Sequence, residues 1–252
     1  VFGLVNHDVS GAMDASLNVS GTYAVPDVDG HIKLKKGRYE NAQTGFVAAN
    51  IDLATTVTDR RLVVDYLTAT DGGGGLVEVD GVVQFHQDLS FDADANVKLD
   101  KARLVRRPQM SVTASSLLKF TKTGDVTALT GDVTVDSANI GAIARDEASV
   151  IELDVREING ASEAIIPIAS TQGSYMRPLS LDVNFNAPGK LYIRTYGMDA
   201  EWSSDVKISG TSLAPIVTGT ATLTRGTFDF SGKRFKLTRG NLTFVGDKKN
   251  DP

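Results

Sequence analysis

Between Val217 and Thr224 every second residue is a threonine. Thr218, Thr220, Thr222 and Thr224 interleave with Val217, Gly219, Ala221 and Leu223. A period of two sends alternate side chains to opposite faces of an extended chain, which a helix cannot do. The same alternation recurs over Leu181, Val183 and Phe185, over Leu191 and Ile193, and over Val97 and Leu99. One face is β-branched or aromatic and the other carries Asp, Thr, Lys or Ser, as in strands with one dry and one wet side. The chain reads as all-β. Only Gly141 to Val150 would suit a short helix, and a plain connection is the simpler reading.

Turn-forming residues punctuate the alternation. Asp29-Gly30, Asp80-Gly81, Ala187-Pro188-Gly189, Arg225-Gly226 and Arg239-Gly240 are the predicted turns. About 20 strands in one sheet, at about 4.8 Å per strand, would extend on the order of 100 Å.

The chain also repeats itself. Setting Leu17–Asn41 against Val206–Phe230 without a gap superposes Ser20, Gly21, Thr22, Pro26, Val28, Gly30, Leu34 and Gly37 on Ser209, Gly210, Thr211, Pro215, Val217, Gly219, Leu223 and Gly226. Lys36 then falls on Arg225 and Tyr39 on Phe228. A weaker copy spans Leu118–Ile140, where Leu129, Gly131, Val133 and Val135 take the places of Val28, Gly30, Ile32 and Leu34. Repeated strand pairs imply stacking in one dimension, each unit touching mainly its neighbours. One elongated module over 1–252 is expected.

Charge and composition remove several functions. The formal net charge is -5, whereas binding a phosphate backbone requires a basic footprint, so no nucleic-acid partner is expected. Cysteine is absent, which excludes disulfides, thiolate chemistry and cysteine-ligated zinc. The most apolar run, Ala164 to Ala169, contains Pro167 and is far shorter than the roughly 20 residues of a membrane span. The start at Val1, without a leader, reads as a fragment of a larger protein.

Candidate chemical motifs fail individually. Gly72 to Gly75 lack the Gly-Lys-Ser/Thr of a phosphate loop and read as a hairpin loop. Gly226 to Lys233 is one residue too long for that motif and has Arg234 where Ser or Thr should hold magnesium. Asp92, Asp94 and Asn96 open like a calcium loop, but Val97 replaces its glycine and Arg103 its bidentate glutamate. They read better as the wet side of a strand whose dry side includes Phe91. His7, His31 and His86 are isolated, no serine sits in a nucleophile elbow, and no carboxylate pair stands out. A non-enzymatic module without cofactor or metal is expected.

The apolar face remains. In the repeats it comprises Leu17, Val19, Val28, Ile32, Leu34 and Tyr39, then Leu118, Phe120, Leu129, Val133 and Val135. Leu181, Val183, Phe185, Leu191 and Ile193 lead into the last copy with Val206, Ile208, Val217, Leu223, Phe228 and Phe230, followed by Phe235, Leu237, Leu242 and Phe244. Two architectures use such a face: a closed core, which the residues by themselves favour because apolar faces are usually buried, and an open sheet curled into a trough.

The order of features over Leu181 to Asp247 bears on that choice. Ala187-Pro188-Gly189 is followed by Arg194, then Gly197-Met198-Asp199-Ala200-Glu201-Trp202, then Ile208-Ser209-Gly210-Thr211 and Pro215. Arg225-Gly226-Thr227-Phe228 and Gly232-Lys233-Arg234-Phe235 complete it. This segment resembles the C-terminal domain of the TamB family, most strongly over 181–247. The resemblance implies a sheet curled into a "taco" with an apolar interior, related to bridge-like lipid-transfer proteins. It implies an envelope protein in the periplasm, tethered to the inner membrane by an N-terminal segment and reaching a TamA-type outer-membrane barrel. Two activities follow from it: carriage of phospholipid between membranes in the apolar groove, and assistance to nascent outer-membrane proteins such as autotransporters.

Overall fold

The computed structural model describes residues 6–22, 25–88, 90–141 and 178–246. It is all-β, with 84% of it in strands. Thirteen strands form a single sheet that does not close. They are β1 (His7–Thr22), β2 (Val25–Asn41), β3 (Phe46–Thr58), β4 (Arg61–Thr70), β5 (Leu76–Phe85), β6 (Phe91–Arg107) and β7 (Met110–Thr123). Then follow β8 (Val126–Gly141), β9 (Ser180–Thr195), β10 (Met198–Thr211), β11 (Ala214–Phe230), β12 (Lys233–Leu237) and β13 (Asn241–Val245). The strands pair in chain order from β1 to β12, with β13 also on β11. All pairs are antiparallel except β8 and β9, which run parallel. β12 and β13 share one register on β11, and the Leu223 amide bonds to Gly240 O (2.8 Å) between them. They are two halves of one edge strand.

The long strands lose register near their middles, and the breaks fall in line. They lie between Ser10 and Ala12, Leu34 and Gly37, Ala49 and Asp52, Leu99 and Ala102, and Trp202 and Ser204. A bulge bends its strand, so a row of bulges creases the sheet. Lys36, Asn50, Lys101 and Lys190 occupy bulges with left-handed φ of 51, 50, 47 and 60°. Three of the amides donate to a side chain on the next strand: Lys36 to Asp52 Oδ1 (3.2 Å), Lys101 to Ser115 Oγ (3.0 Å) and Lys190 to Glu201 Oε1 (3.3 Å). Donors lost from the ladder are thus satisfied. The crease divides the sheet into two walls. The first comprises residues 12–35, 51–69, 76–100, 115–135, 180–187, 203–223 and 241–246, and the second the outer halves of the long strands together with β12.

The floor of the crease is lined by small residues. Ala69, Ala102, Ala114, Ala187 and Ala200 are at most 1% exposed. A Cβ at Gly37 would lie 2.8 Å from Leu34 Cδ2, and one at Gly226 would lie 2.7 Å from the Ala200 methyl. The bent sheet leaves room there for a methyl or less.

The β4–β5 hairpin stops at the crease, so the second wall omits it and β3 meets β6 directly. The Arg106 amide donates to Thr44 O at 2.9 Å. One wall is therefore shorter by two strands, about 10 Å, and the trough curves toward it. Asp71 holds the hairpin tip. It is 2% exposed; its Oδ1 accepts the Gly73 and Gly75 amides (2.7 and 2.8 Å) and its Oδ2 the Arg103 amide (3.0 Å). The Arg106 guanidinium caps the Asp71 carbonyl at 3.1 Å.

Several sequence expectations require correction. The described residues form thirteen strands, each long one crossing both walls, so their sheet extends about 60 Å rather than the expected order of 100 Å. Four of the five predicted turns lie inside strands: Gly30 in β2, Gly81 in β5, Ala187-Pro188-Gly189 in β9 and Gly226 in β11; Arg239-Gly240 interrupts the edge strand. Glycine serves close approach instead, since a Cβ at Gly30 or Gly81 would fall 2.1 Å from Ser16 O or 2.6 Å from Asp94 O. True hairpins turn on Asp59-Arg60, Tyr196-Gly197 and Ser231-Gly232, both residues of each left-handed. Gly72 to Gly75 do form a hairpin loop, closed by Asp71. The segments 142–150 and 164–169 lie outside the described residues.

The repeat has a structural counterpart. Gly30, Gly131 and Gly219, aligned by sequence, have φ of 152, 133 and 128°. A Cβ on each would fall within 2.2 Å of the carbonyl oxygen of Ser16, Leu117 or Asp205 on the preceding strand. Gly21 and Gly210 match likewise, at 84 and 85°.

Candidate functional site: the inner face of the trough

Register and alternation place the expected apolar residues on one face of the sheet. Val19 pairs with Val28, Leu34 with Leu53, Tyr39 with Ala48 and Phe120 with Leu129. Leu129 pairs with Leu181 and Val133 with Phe185 across the parallel step. Val183 pairs with Ile208, Phe185 with Val206, and Leu191 with Trp202. Phe228 meets Phe235, and Leu242 and Phe244 meet Ala221 and Gly219. Leu17, Ile32, Leu118, Val135, Ile193, Val217, Leu223, Phe230 and Leu237 follow by the two-residue period.

Burial differs between floor and walls. Among the described residues the buried apolar set is dominated by alanines, and no large side chain is fully buried. Val133 and Val183 are buried within a small cluster with Ala114. Higher on the walls, Val19 is 67% exposed, Phe230 65%, Leu17 and Phe235 49%. Phe228 and Phe230 stack at 6.1 Å. Large apolar groups therefore face into the trough without facing walls to seal them.

Trp202 was not among the expected residues. It lies on the crease, 9% exposed, against Leu191, Ile193, Leu223, Leu237 and Phe244. Its neighbour Glu201 points outward, pairing with Arg225 Nε at 2.6 Å. That hydrogen bond, with the Lys190 amide, holds the Glu201 carboxyl below its usual range. Ile51, Leu53, Leu62, Leu67, Val79, Val97, Leu99 and Met198 also share the inner face by register and were missed, apart from the Val97–Leu99 alternation. All lie outside the repeated segments, yet the period of two marks them equally well.

The outer face is polar. Lys98 pairs with Glu78 (2.8 Å), Lys119 with Asp94 (2.9 Å) and Lys207 with Asp182 (2.7 Å) across strands. Asp92 bonds His86 and the Gly124 amide (3.0 and 2.8 Å), and Asn96 bonds Asp80 (2.9 Å), as a wet face requires. No group of potential metal ligands converges among the described residues. Among the described residues Asp71 is the buried carboxylate, and its surroundings define a structural role. Burial pushes its pKa up, but the amides of Gly73, Gly75 and Arg103 and the Arg103 charge outweigh this and hold it below the usual carboxylate range.

A single sheet, creased along a row of bulges, apolar within and charged without, defines an open β-trough protein. Residues 65–252 match the TamB C-terminal domain, and the chain belongs to that family. The match begins in β4, well before the segment 181–247 that carries the sequence resemblance. No curated protein and no solved structure matches the chain. Family membership gives it a TamB-related function in the cell envelope, within a translocation and assembly module.

Proposed function

We propose that the trough shields phospholipid acyl chains as lipid moves between the inner and outer membranes. In this reading the chain is a periplasmic segment of an inner-membrane-anchored protein that works with a TamA-type barrel. The observation that carries it is the exposure of Leu17, Val19, Phe230 and Phe235 on an otherwise apolar inner face. Exposing an acyl tail of about 16 carbons to water costs on the order of 13 kcal/mol, at about 0.8 kcal/mol per methylene. A continuous dry lining removes most of that while the headgroup stays in solvent, and no covalent step is needed. The alanine floor sets the depth of the groove, and the charged outer face keeps the exterior in water. Replacing Phe230 by Asp tests this: the purified variant should fold as a sheet and carry less phospholipid. Leu223 is a poorer probe, because it packs on Trp202. Unchanged lipid content would refute the reading.

A second reading has its own observation. β1 is exposed along its whole length, and among the described strands it pairs with β2 alone. Its free edge offers backbone donors and acceptors to an incoming strand, the geometry of β-augmentation. A nascent outer-membrane strand is the client this reading assigns. Crosslinks from β1 to client protein, with indifference to lipid, would select it.

A further inference from the structure

The net charge of the chain conceals a division across the crease. The first wall, with its turns, carries sixteen Asp and Glu against eight Lys and Arg, a formal charge of -8. The remaining described residues, on the crease and second wall, carry seven Asp and Glu against thirteen Lys and Arg, a charge of +6. The two groups are separated by a bend in one sheet, so opposite sides of the molecule present opposite fields.

On the basic side several exposed cations stand outside any ion pair with a described carboxylate. Arg38, Arg194, Arg225 and Arg234 are each paired with a carboxylate of the same wall. Lys36, Lys101, Arg107, Lys190, Lys236 and Arg239 are exposed and make no ion pair with a described carboxylate. Lys36, Lys101, Lys190 and Arg239 lie along the crease itself, on β2, β6, β9 and the break in the edge strand. The crease floor is filled by buried alanines, so exposed side chains at these bulges project from its convex back. Lys101, Lys190 and Arg239 follow one another at intervals of three strands, about 14 Å. Lys236, between the inward Phe235 and Leu237, extends the surface over the second wall. The result is a broad basic face about ten strands long, backed by an acidic one.

We propose that this back and second wall form a docking surface for the anionic headgroups of a phospholipid bilayer. The breadth of the face suits a plane of charge better than one strand of polyanion, and the acidic first wall orients the molecule by repulsion. Each Lys or Arg near such a surface strengthens binding severalfold, and salt weakens it. The proposal concerns the outer surface and does not depend on what the trough carries.

The test is sedimentation of the chain with vesicles of phosphatidylcholine alone or with phosphatidylglycerol added, at low and high salt. Lys101→Gln, Lys190→Gln, Lys236→Gln and Arg239→Gln are combined in one variant. A control combines Lys33→Gln, Lys98→Gln, Lys119→Gln and Lys207→Gln on the first wall and so removes the same charge. The chain should bind phosphatidylglycerol vesicles, not phosphatidylcholine, and release them in salt. The second-wall variant should bind at least a hundredfold more weakly, and the control as well as the parent or better. Circular dichroism confirms that both retain the sheet. Absence of binding, equal loss in both variants, or binding to heparin without vesicles would each overturn the proposal, the last favouring a linear polyanion. Sedimentation without vesicles would instead reveal copies joined acidic wall to basic wall, which also overturns it. Acyl-chain capture inside the trough is read separately, so either idea fails alone.

Discussion

Gly226 on β11 lies directly across from Ala200 on β10, so close that a Cβ added to the glycine would meet the alanine methyl at 2.7 Å. The contact marks the point where the sheet folds on itself. Gly226→Val should force the crease open and destabilise the chain by about 1–3 kcal/mol, the usual range for overpacking. The urea midpoint measures this. Thr227→Val, one residue on and outward-facing, should leave it nearly unchanged.

Asp71 ties the β4–β5 hairpin to β6. Its folded pKa lies below the unfolded value, so its contribution to stability is fully present above the unfolded carboxylate pKa of about 4 and is lost as pH falls through the lower folded value. Asn can accept from Gly73 and Gly75 but turns an amide donor toward the Arg103 N–H. Asp71→Asn should destabilise at neutral pH by about 1–3 kcal/mol, the range for a buried unsatisfied donor. It should also flatten the acid limb of the stability profile. Urea midpoints between neutral pH and the acid range check both.

Trp202 is the only tryptophan of the chain and lies in the floor, packed between Leu191 and Leu223. Its emission should be blue-shifted relative to a solvated indole. Phospholipid with brominated acyl chains should quench it, and lipid brominated only in the headgroup should not. Equal quenching by both would place the tails outside the trough.

The faces were legible in the sequence and the bends were not. Leu181, Val183 and Phe185 read as inward because alternation is local and needs no knowledge of neighbours. Gly226 read as a turn because glycine is chosen for two different needs, a left-handed φ and a missing Cβ, and sequence does not tell them apart. Only the Ala200 methyl on the next strand does. Tyr196-Gly197 and Asp59-Arg60 turn the chain without the usual Asn-Gly or Asp-Gly pair, so their hairpins gave no signal. Openness was equally hidden. Whether Phe230 faces another wall or empty space depends on how far the sheet bends, and that is set by bulges at Lys36, Lys101 and Lys190 that no pattern announces.

Filling the floor probes depth. Ala102→Leu adds bulk where Ala102 faces Ala114 across β6 and β7, both fully buried. The substitution should lower stability by about 1–3 kcal/mol. It should also reduce lipid occupancy in proportion to the groove volume lost, read as phosphorus per chain in the purified protein.

The central claim is that the inner face receives guests, and site-specific photo-crosslinking tests it most directly. A photoreactive residue replaces Phe235 or Leu17 on the inner face, or Thr227 or Asp205 on the outer face, in cells fed radiolabelled lipid precursor. The account predicts labelled lipid on the inner positions and none above background on the outer ones. Equal labelling of both faces, or an unlabelled inner face, would contradict it.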